Sequence, residues 1–537
     1  MSELIASRKS AHAAASALRS WGRRYWLVVT AFLLLLLLGL PTLIVPLATD
    51  QIIFALSART ILHGGFPYVD LWDIKPPGAY VAYVLSFLLF GERMVSVRIL
   101  DLANTLGAMI AIFLLGRRLF SERAGLLAGC LYGLTYLTRA NFDGLAETES
   151  FLVLPVVLAL VLYPTAQSER SGARAALSGL LLGLAFSTKF NAGLYVLALP
   201  AMELLLAESP ARVWPALRRL SLAAAGFLAV PVVFAVYLAA GGALGDFLDI
   251  QRLHVAHYTA LHWAPEGESY IHYLARATHY YVETSQYLVV PAAVALFFGL
   301  LGKRRRETAL VVLLTLAALA GVWSQGKFFP YHWLAMVPPL SLLAGHAIDR
   351  ILGFYGGTIR EPKLWAAAGL VAACLIALTP SLVGNPYNEY RHFLGYLAGS
   401  VTKEENEARY IPLLSYNHEL VNYIEANSGE GESFFIWGYW PVAYWWADRP
   451  LVSRFVYDSG LRATWAPEKW RRELVDSLKA NPPRYVVVAH GGRQPWLVGT
   501  SETADEQLAA YPELNTFINQ SYGEVWNIEL FKLYERK

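Results

Sequence analysis

The sequence predicts a mainly α fold: a polytopic transmembrane helical bundle followed by a small C-terminal α/β domain outside the membrane. Three observations lead there. Of 537 residues 56% are hydrophobic and only 16% charged, with a mean hydropathy of +0.39, a balance expected of chains that enter a bilayer. Apolar runs recur from residue 26 to residue 384. Beyond 385 the pattern changes to short strand-like runs alternating with polar helical ones.

Residues 1–25 carry Arg8, Lys9, Arg19, Arg23 and Arg24 and are too polar for a cleaved signal, so they read as a basic cytoplasmic tail. Apolar segments then fall at 26–47, 94–115, 123–140, 150–163, 175–189, 193–207, 220–240, 287–302, 308–323, 332–348 and 364–384. Charge tests this scheme of about eleven spans. Loops on the starting side hold Arg117, Arg118 and Arg123, then Arg170 and Arg174, then Arg212, Arg218 and Arg219. They continue with Lys303 to Arg306, and with Arg350, Arg360 and Lys363. The positive-inside rule makes these loops cytoplasmic and puts 385–537 outside, with 26–384 as the membrane domain.

Counting "KPPGAYVAYVLSFLLFGE", residues 75–92, as a span would break that charge pattern. Residues 76–90 are therefore expected to form an apolar helix at the outer interface, begun by Pro76 and Pro77. Segment 50–63 reads as a short amphipathic interfacial helix ending at the Gly64-Gly65 turn. In the tail, "ESFFIWG" and "RYVVVAH" predict short buried strands. "PEKWRRELVDSLKA" and "DEQLAAYPELNTFI" predict helices, and "EVWNIELFKLYERK" a terminal strand or hairpin.

A net charge of +3 is too near neutral for a nucleic-acid partner. Cys130 and Cys374 lie in apolar segments and read as small buried hydrophobes. The informative residues are polar and collect in the outer-side loops. The first loop holds Asp50, Asp70, Asp73 and Lys75, and the second Arg139, Asp143, Glu147 and Glu149. Further turns hold Lys189 with Asn191, and Lys327 with Tyr331 and His332. The long loop 241–286 holds His254, His257, His262, His272 and His279.

Carboxylates and lone lysines at one membrane level suit a site facing both lipid and water. A carboxylate can take the proton of an acceptor hydroxyl, and a cation can meet the charge of a departing phosphate. No P-loop, serine-nucleophile elbow or HExxH motif is present, so a lipid-borne donor fits better than a soluble nucleotide. His254, His257 and His262 are candidate ligands for a divalent metal, the first two sharing one helical face. Aromatic pairs such as Tyr280-Tyr281 and Trp445-Trp446 read as interface belts or core packing.

The stretch "TDQIIFALSARTILHGGFPYVDLWDIKPPGAY" resembles the first outer loop of GT-C superfamily glycosyltransferases. It is similar in pattern to bacterial protein O-mannosyltransferase-like enzymes and to lipid A aminoarabinose transferases. The resemblance continues in "RRLFSERAGLLAG", "AETESFLVLP", "STKFNAG" and "GKFFPYHWLAMVPPLSLLAG", and more weakly in "FFIWGYWPVAYWWADRPLVSRF". It implies an integral protein of a prokaryotic plasma (inner) membrane. Such a protein would move a sugar from a polyprenyl-phosphate donor to a glycan, lipid or protein acceptor outside, with inversion.

By position the resemblance implies Asp50 as base and Lys75 beside the lipid phosphate. Glu147 or Glu149 would be the second-loop acid, and Arg139 and Lys189 further phosphate partners. Asp73, Lys327 and His332 join the candidate substrate contacts. Two positions depart from the family pattern: Gln51 replaces an acid after Asp50, and Ile74 replaces an acid before Lys75, where Asp73 is the nearest substitute. Two alternatives stand beside this reading, a flippase or transporter of lipid-linked glycans and an oligosaccharide ligase of related fold. A transporter would place its ionisable residues at mid-bilayer depth.

Overall fold

The computed structural model describes residues 26–47, 49–139, 144–165, 170–206, 213–264, 267–355 and 386–537. The chain begins with α1 (Trp26–Ile44), α2 (Thr49–Leu62), α3 (Val81–Phe90), α4 (Met94–Leu119) and α5 (Glu122–Arg139). It continues with α6 (Thr148–Leu162), α7 (Ser171–Thr188), α8 (Ala198–Leu206) and α9 (Val213–Ala240). After α10 (Leu244–Ile250) and α11 (Ala256–Ala260) come α12 (Tyr270–Thr284), α13 (Gln286–Leu301), α14 (Arg305–Trp323) and α15 (Val337–Tyr355).

Every expected apolar segment from 26–47 to 332–348 coincides with a helix, whereas 364–384 lies outside the described residues. Four of the described helices, α1, α4, α9 and α14, are long and apolar enough to cross a membrane. Small residues bring the helices together, as membrane packing favours. A Cβ on Gly179 of α7 would stand 1.8 Å from the Ala223 carbonyl oxygen of α9. Glycine is what permits that crossing.

The two helices expected at the interface differ. On α3, Leu85, Leu88, Leu89 and Phe90 are exposed, leaving an apolar face of the kind an interfacial helix turns to lipid. On α2, residues Gln51 through Ala58 are all buried, so it has no free polar face. It is covered because the C-terminal part of the chain packs over it. Between them, Pro77–Tyr80 form a 3₁₀ turn pressed on the end of α7, where a Cβ at Gly78 would fall 2.5 Å from the Ser187 oxygen.

The C-terminal part comprises α16 (Pro386–Leu397), α17 (Lys403–Tyr410), α18 (Leu414–Asn427), β1 (Phe434–Trp437) and α19 (Val442–Ala447). Then follow α20 (Glu468–Ala480), β2 (Tyr485–Ala489), α21 (Ala504–Ala509), α22 (Pro512–Ser521), β3 (Tyr522–Ile528) and β4 (Phe531–Arg536). The sheet order is β1-β2-β4-β3, with β1 and β2 parallel and the other pairs antiparallel. β1 and β2 are buried throughout, as the apolar runs FFIW and YVVVA require.

One core joins the sheet to the first loop of the bundle. Trp72, fully buried, packs on Phe455, Tyr457 and Trp470, and its backbone N–H donates to the Arg454 carbonyl at 2.8 Å. Arg454 in turn donates to the Tyr68 carbonyl and to Asp246, both at 2.6 Å, and pairs with Glu473. These bonds fix residues 66–75 from both sides.

Candidate functional site

Asp50 occupies the first turn of α2, and Lys75 ends the stretch that Trp72 anchors. Although 25 positions apart, they meet: Lys75 Nζ donates to Asp50 Oδ2 at 3.1 Å. The Tyr439 hydroxyl, from the turn after β1, donates to Asp50 Oδ1 at 3.0 Å. The Tyr68 hydroxyl fixes the Lys75 carbonyl at 2.8 Å. Together with Asp73, Glu147 and Tyr331, Asp50 and Lys75 line a cavity of about 240 Å³ between the bundle and the sheet-bearing part.

The charges in this cavity are graded. Burial alone would raise the Asp50 pKa, but Lys75 and the Tyr439 hydrogen bond hold it below the ordinary carboxylate range. Burial likewise opposes the charge on Lys75, yet the Asp50 carboxylate keeps it protonated. Glu147 goes the other way. Burial and the Asp50 charge push its pKa well above the usual carboxyl value. Its Oε1 accepts from Gln51 Nε2 at 3.3 Å, while Oε2 is buried without a partner.

Glu147 is the N-cap of α6, in extended conformation, and so points back to the cavity. Glu149, two residues into the helix, forms a buried ion pair with Lys189. That pair stands behind Tyr331, whose ring lies 5.5 Å from Lys189 Nζ. Of the two second-loop acids, Glu147 lines the cavity and Glu149 does not.

Asp73 accepts from the Tyr80 and Tyr457 hydroxyls, each at 2.9 Å, and from the Ile74 N–H at 2.7 Å. Burial leads its upward pKa shift. Asp70 instead closes the turn at Phe66, accepting that N–H at 2.7 Å. Lys327 does not line the cavity: its ammonium is spent on the Tyr258 and Leu261 carbonyls at 2.7 and 2.8 Å. His332 also lies off the lining, buried against Phe329 and Tyr331. Arg139 is the last residue of α5.

The three histidines proposed as metal ligands are not brought together. His254 is buried among Trp72, Trp465 and Trp470, with neither nitrogen bonded, and burial pulls its pKa down to about 3. His257 stacks on Trp465, and His262 Nδ1 accepts from the Ala264 N–H. Among the described residues no group of three or more His, Cys, Asp or Glu is placed to hold a metal ion.

Sequence reasoning missed Arg98, Tyr439 and Tyr457. Arg98, only 1% exposed, donates to the carbonyls of Val45, Pro46 and Leu145 and to Gln51 Oε1 at 2.6–3.0 Å. Through Gln51 it holds the stretches bearing Asp50 and Glu147 in register. The signal was available: an arginine three residues before Asp101 inside an apolar run is rare without a role. The tyrosines come from an aromatic cluster that reads as packing.

Residues 74–238 match the family model described as dolichyl-phosphate-mannose-protein mannosyltransferase. No curated protein sequence matches the chain. Among solved structures, the chain is similar to ArnT from Cupriavidus metallidurans bound to undecaprenyl phosphate, with a TM-score of 0.55 at 16% identity. That match covers 96% of this chain and 98% of ArnT. The apo form of the same protein matches with a TM-score of 0.55 at 15% identity, over 96% of this chain and 98% of that one. The apo oligosaccharyltransferase of Archaeoglobus fulgidus matches with a TM-score of 0.51 at 13% identity, over 88% of this chain and 70% of that one.

Proposed function

We propose that this chain, a GT-C superfamily member by fold, is an integral membrane glycosyltransferase using a polyprenyl-phosphate-linked sugar. It would have about eleven spans in a prokaryotic plasma (inner) membrane, with residues 1–25 cytoplasmic and 385–537 outside. The observation that carries the reading is the Asp50–Lys75 pair and Glu147 lining one cavity. Binding of undecaprenyl phosphate by ArnT, the structural neighbour, supports a lipid phosphate as the donor's leaving group.

In this reading Lys75 turns from Asp50 to the donor phosphate. Asp50, freed of its counter-ion, takes the proton of the acceptor hydroxyl. The acceptor oxygen bonds to the anomeric carbon from the face opposite the phosphate. The carbon–oxygen bond to phosphate breaks, its electron pair leaves with the polyprenyl phosphate, and the product is inverted. Lys75 meets the charge that gathers on the leaving group. Glu147, protonated, donates a hydrogen bond to a sugar or phosphate oxygen. The Lys189–Glu149 pair positions Tyr331 against the donor.

A cavity of about 240 Å³ has room for a sugar beside Asp50. The test is transfer by the purified protein from a panel of polyprenyl-phosphate sugars to its own membrane's glycans, lipids and proteins, read by mass spectrometry. Labelled sugar should appear in one acceptor and free carrier phosphate should accumulate. No turnover of any donor refutes the reading.

A further inference from the structure

A second cavity, of about 370 Å³, opens where the parallel strands β1 and β2 end. Open α/β sheets place ligands beyond the carboxyl ends of such strands. Tyr439 and Gln494 belong to the walls of both this cavity and the one around Asp50. The two spaces are therefore neighbours, and the Tyr439 hydroxyl in their common wall bonds to Asp50 at 3.0 Å.

The lining states what it wants. Asn417, fully buried, turns Nδ2 to the Leu413 carbonyl and leaves Oδ1 without a partner. Gln494 Oε1 is also buried and unpartnered. Both are acceptors, so an occupant must bring hydroxyl or N–H donors. The arginine of the lining, Arg462, is already committed. Its Nε goes to Gln507, Nη1 to Asp458, and Nη2 to the carbonyls of Gly492 and Glu502. His490 stands beside Asp505, at 3.7 Å.

An anionic ligand would thus find no free guanidinium and two unpartnered acceptor oxygens among the lining residues. An acyl chain would leave those oxygens, already buried without donors, still unsatisfied. A neutral polyol satisfies both, and the half-buried Trp440 ring offers an apolar face to the C–H side of a sugar.

We infer that this cavity is the acceptor subsite and that it takes a neutral saccharide, one hydroxyl of which passes Tyr439 to reach Asp50. The inference rests on the transferase reading and names the acceptor class for it. The bonds made and broken are those given above. The acceptor proton goes to Asp50, the new bond forms at the anomeric carbon, and the phosphate leaves with the electron pair.

Binding measured without donor separates the two claims. The full-length protein in detergent is titrated with partially hydrolysed neutral envelope polysaccharide, with the same sugars phosphorylated, and with a Ser/Thr-rich peptide. Saturation-transfer NMR is the readout. The neutral saccharide should bind, the phosphorylated one at least tenfold more weakly. Gln494→Leu and Trp440→Ala should each weaken saccharide binding about tenfold without lowering Tm, and Asn417→Leu should do the same if it folds. In a transfer assay Trp440→Ala should raise the acceptor KM with little change in kcat.

Saccharide binding unaffected by Gln494→Leu and Trp440→Ala, or binding of the peptide alone, overturns the subsite. Loss of saccharide affinity in the variants together with no donor turnover by the wild type keeps the subsite and refutes the transferase.

Discussion

Replacing Lys75 by methionine isolates the charge on which both halves of the proposed reaction depend. At 3.1 Å and an effective dielectric near 20, the attraction between Lys75 and Asp50 is about 5 kcal/mol before desolvation is subtracted. The side chains are 16% and 26% exposed, and charge-assisted hydrogen bonds of this kind contribute about 1.5–3 kcal/mol net. Two effects follow from the loss. The leaving phosphate loses its cation, costing about 10²–10³-fold in kcat. Asp50 loses the partner that holds its pKa down, and burial then raises it.

The sign of the pH effect is fixed. A depressed carboxyl is ionised above its pKa, so base activity is present at neutral pH and lost as pH falls through that value. In Lys75→Met the acid limb of kcat/KM should move to higher pH. The assay is donor turnover by the purified protein in nanodiscs across the pH range, with donor binding measured separately. An unchanged acid limb with kcat within threefold of wild type would refute the pairing as a functional one.

Three further outcomes are expected. Glu147→Gln, which mimics the protonated acid, should keep turnover within about threefold at neutral pH, while Glu147→Leu should cost about 10–100-fold, as about 1–3 kcal/mol of hydrogen bonding is removed; paired kcat values check both. Arg98→Met leaves three carbonyls and Gln51 without their buried donor and should destabilise by about 3 kcal/mol or more, seen as a lowered Tm in detergent. Gly78→Val drives a side chain into the Ser187 carbonyl and should cost about 1–3 kcal/mol, with reduced turnover because Lys75 lies three residues upstream.

Much of this was legible in the chain. Apolar runs located the bundle helices because a span has to be continuously apolar, and the tail's strands and helices declared themselves by period. Asp50, Asp73, Lys75 and Glu147 stood out as polar residues in an apolar chain, and they line one cavity. What spacing could not decide was Glu147 against Glu149. Two positions on one short segment are separated only by the helix start, which turns one to the cavity and the other to Lys189.

Long-range partners were harder. Tyr439 reaches Asp50 across 389 positions, and nothing local in an aromatic-rich strand end marks one tyrosine as a donor. Helix α2 reads as interfacial from its own residues, and only the packing of the C-terminal part shows that it is covered. His254 and His257 share a helical face, and the packing of Trp465 against both rings is not visible from their spacing.

The claim that Asp50 is the base of a lipid-phosphate-sugar transferase is met most directly by Asp50→Asn. The amide keeps the shape and can still accept from Tyr439, but cannot take a proton. Transfer from the polyprenyl-phosphate donor should fall about 10²–10⁴-fold, with Tm and donor binding retained and the wild-type product inverted at the anomeric carbon. Wild-type turnover by Asp50→Asn, or a product of retained configuration, would contradict the account.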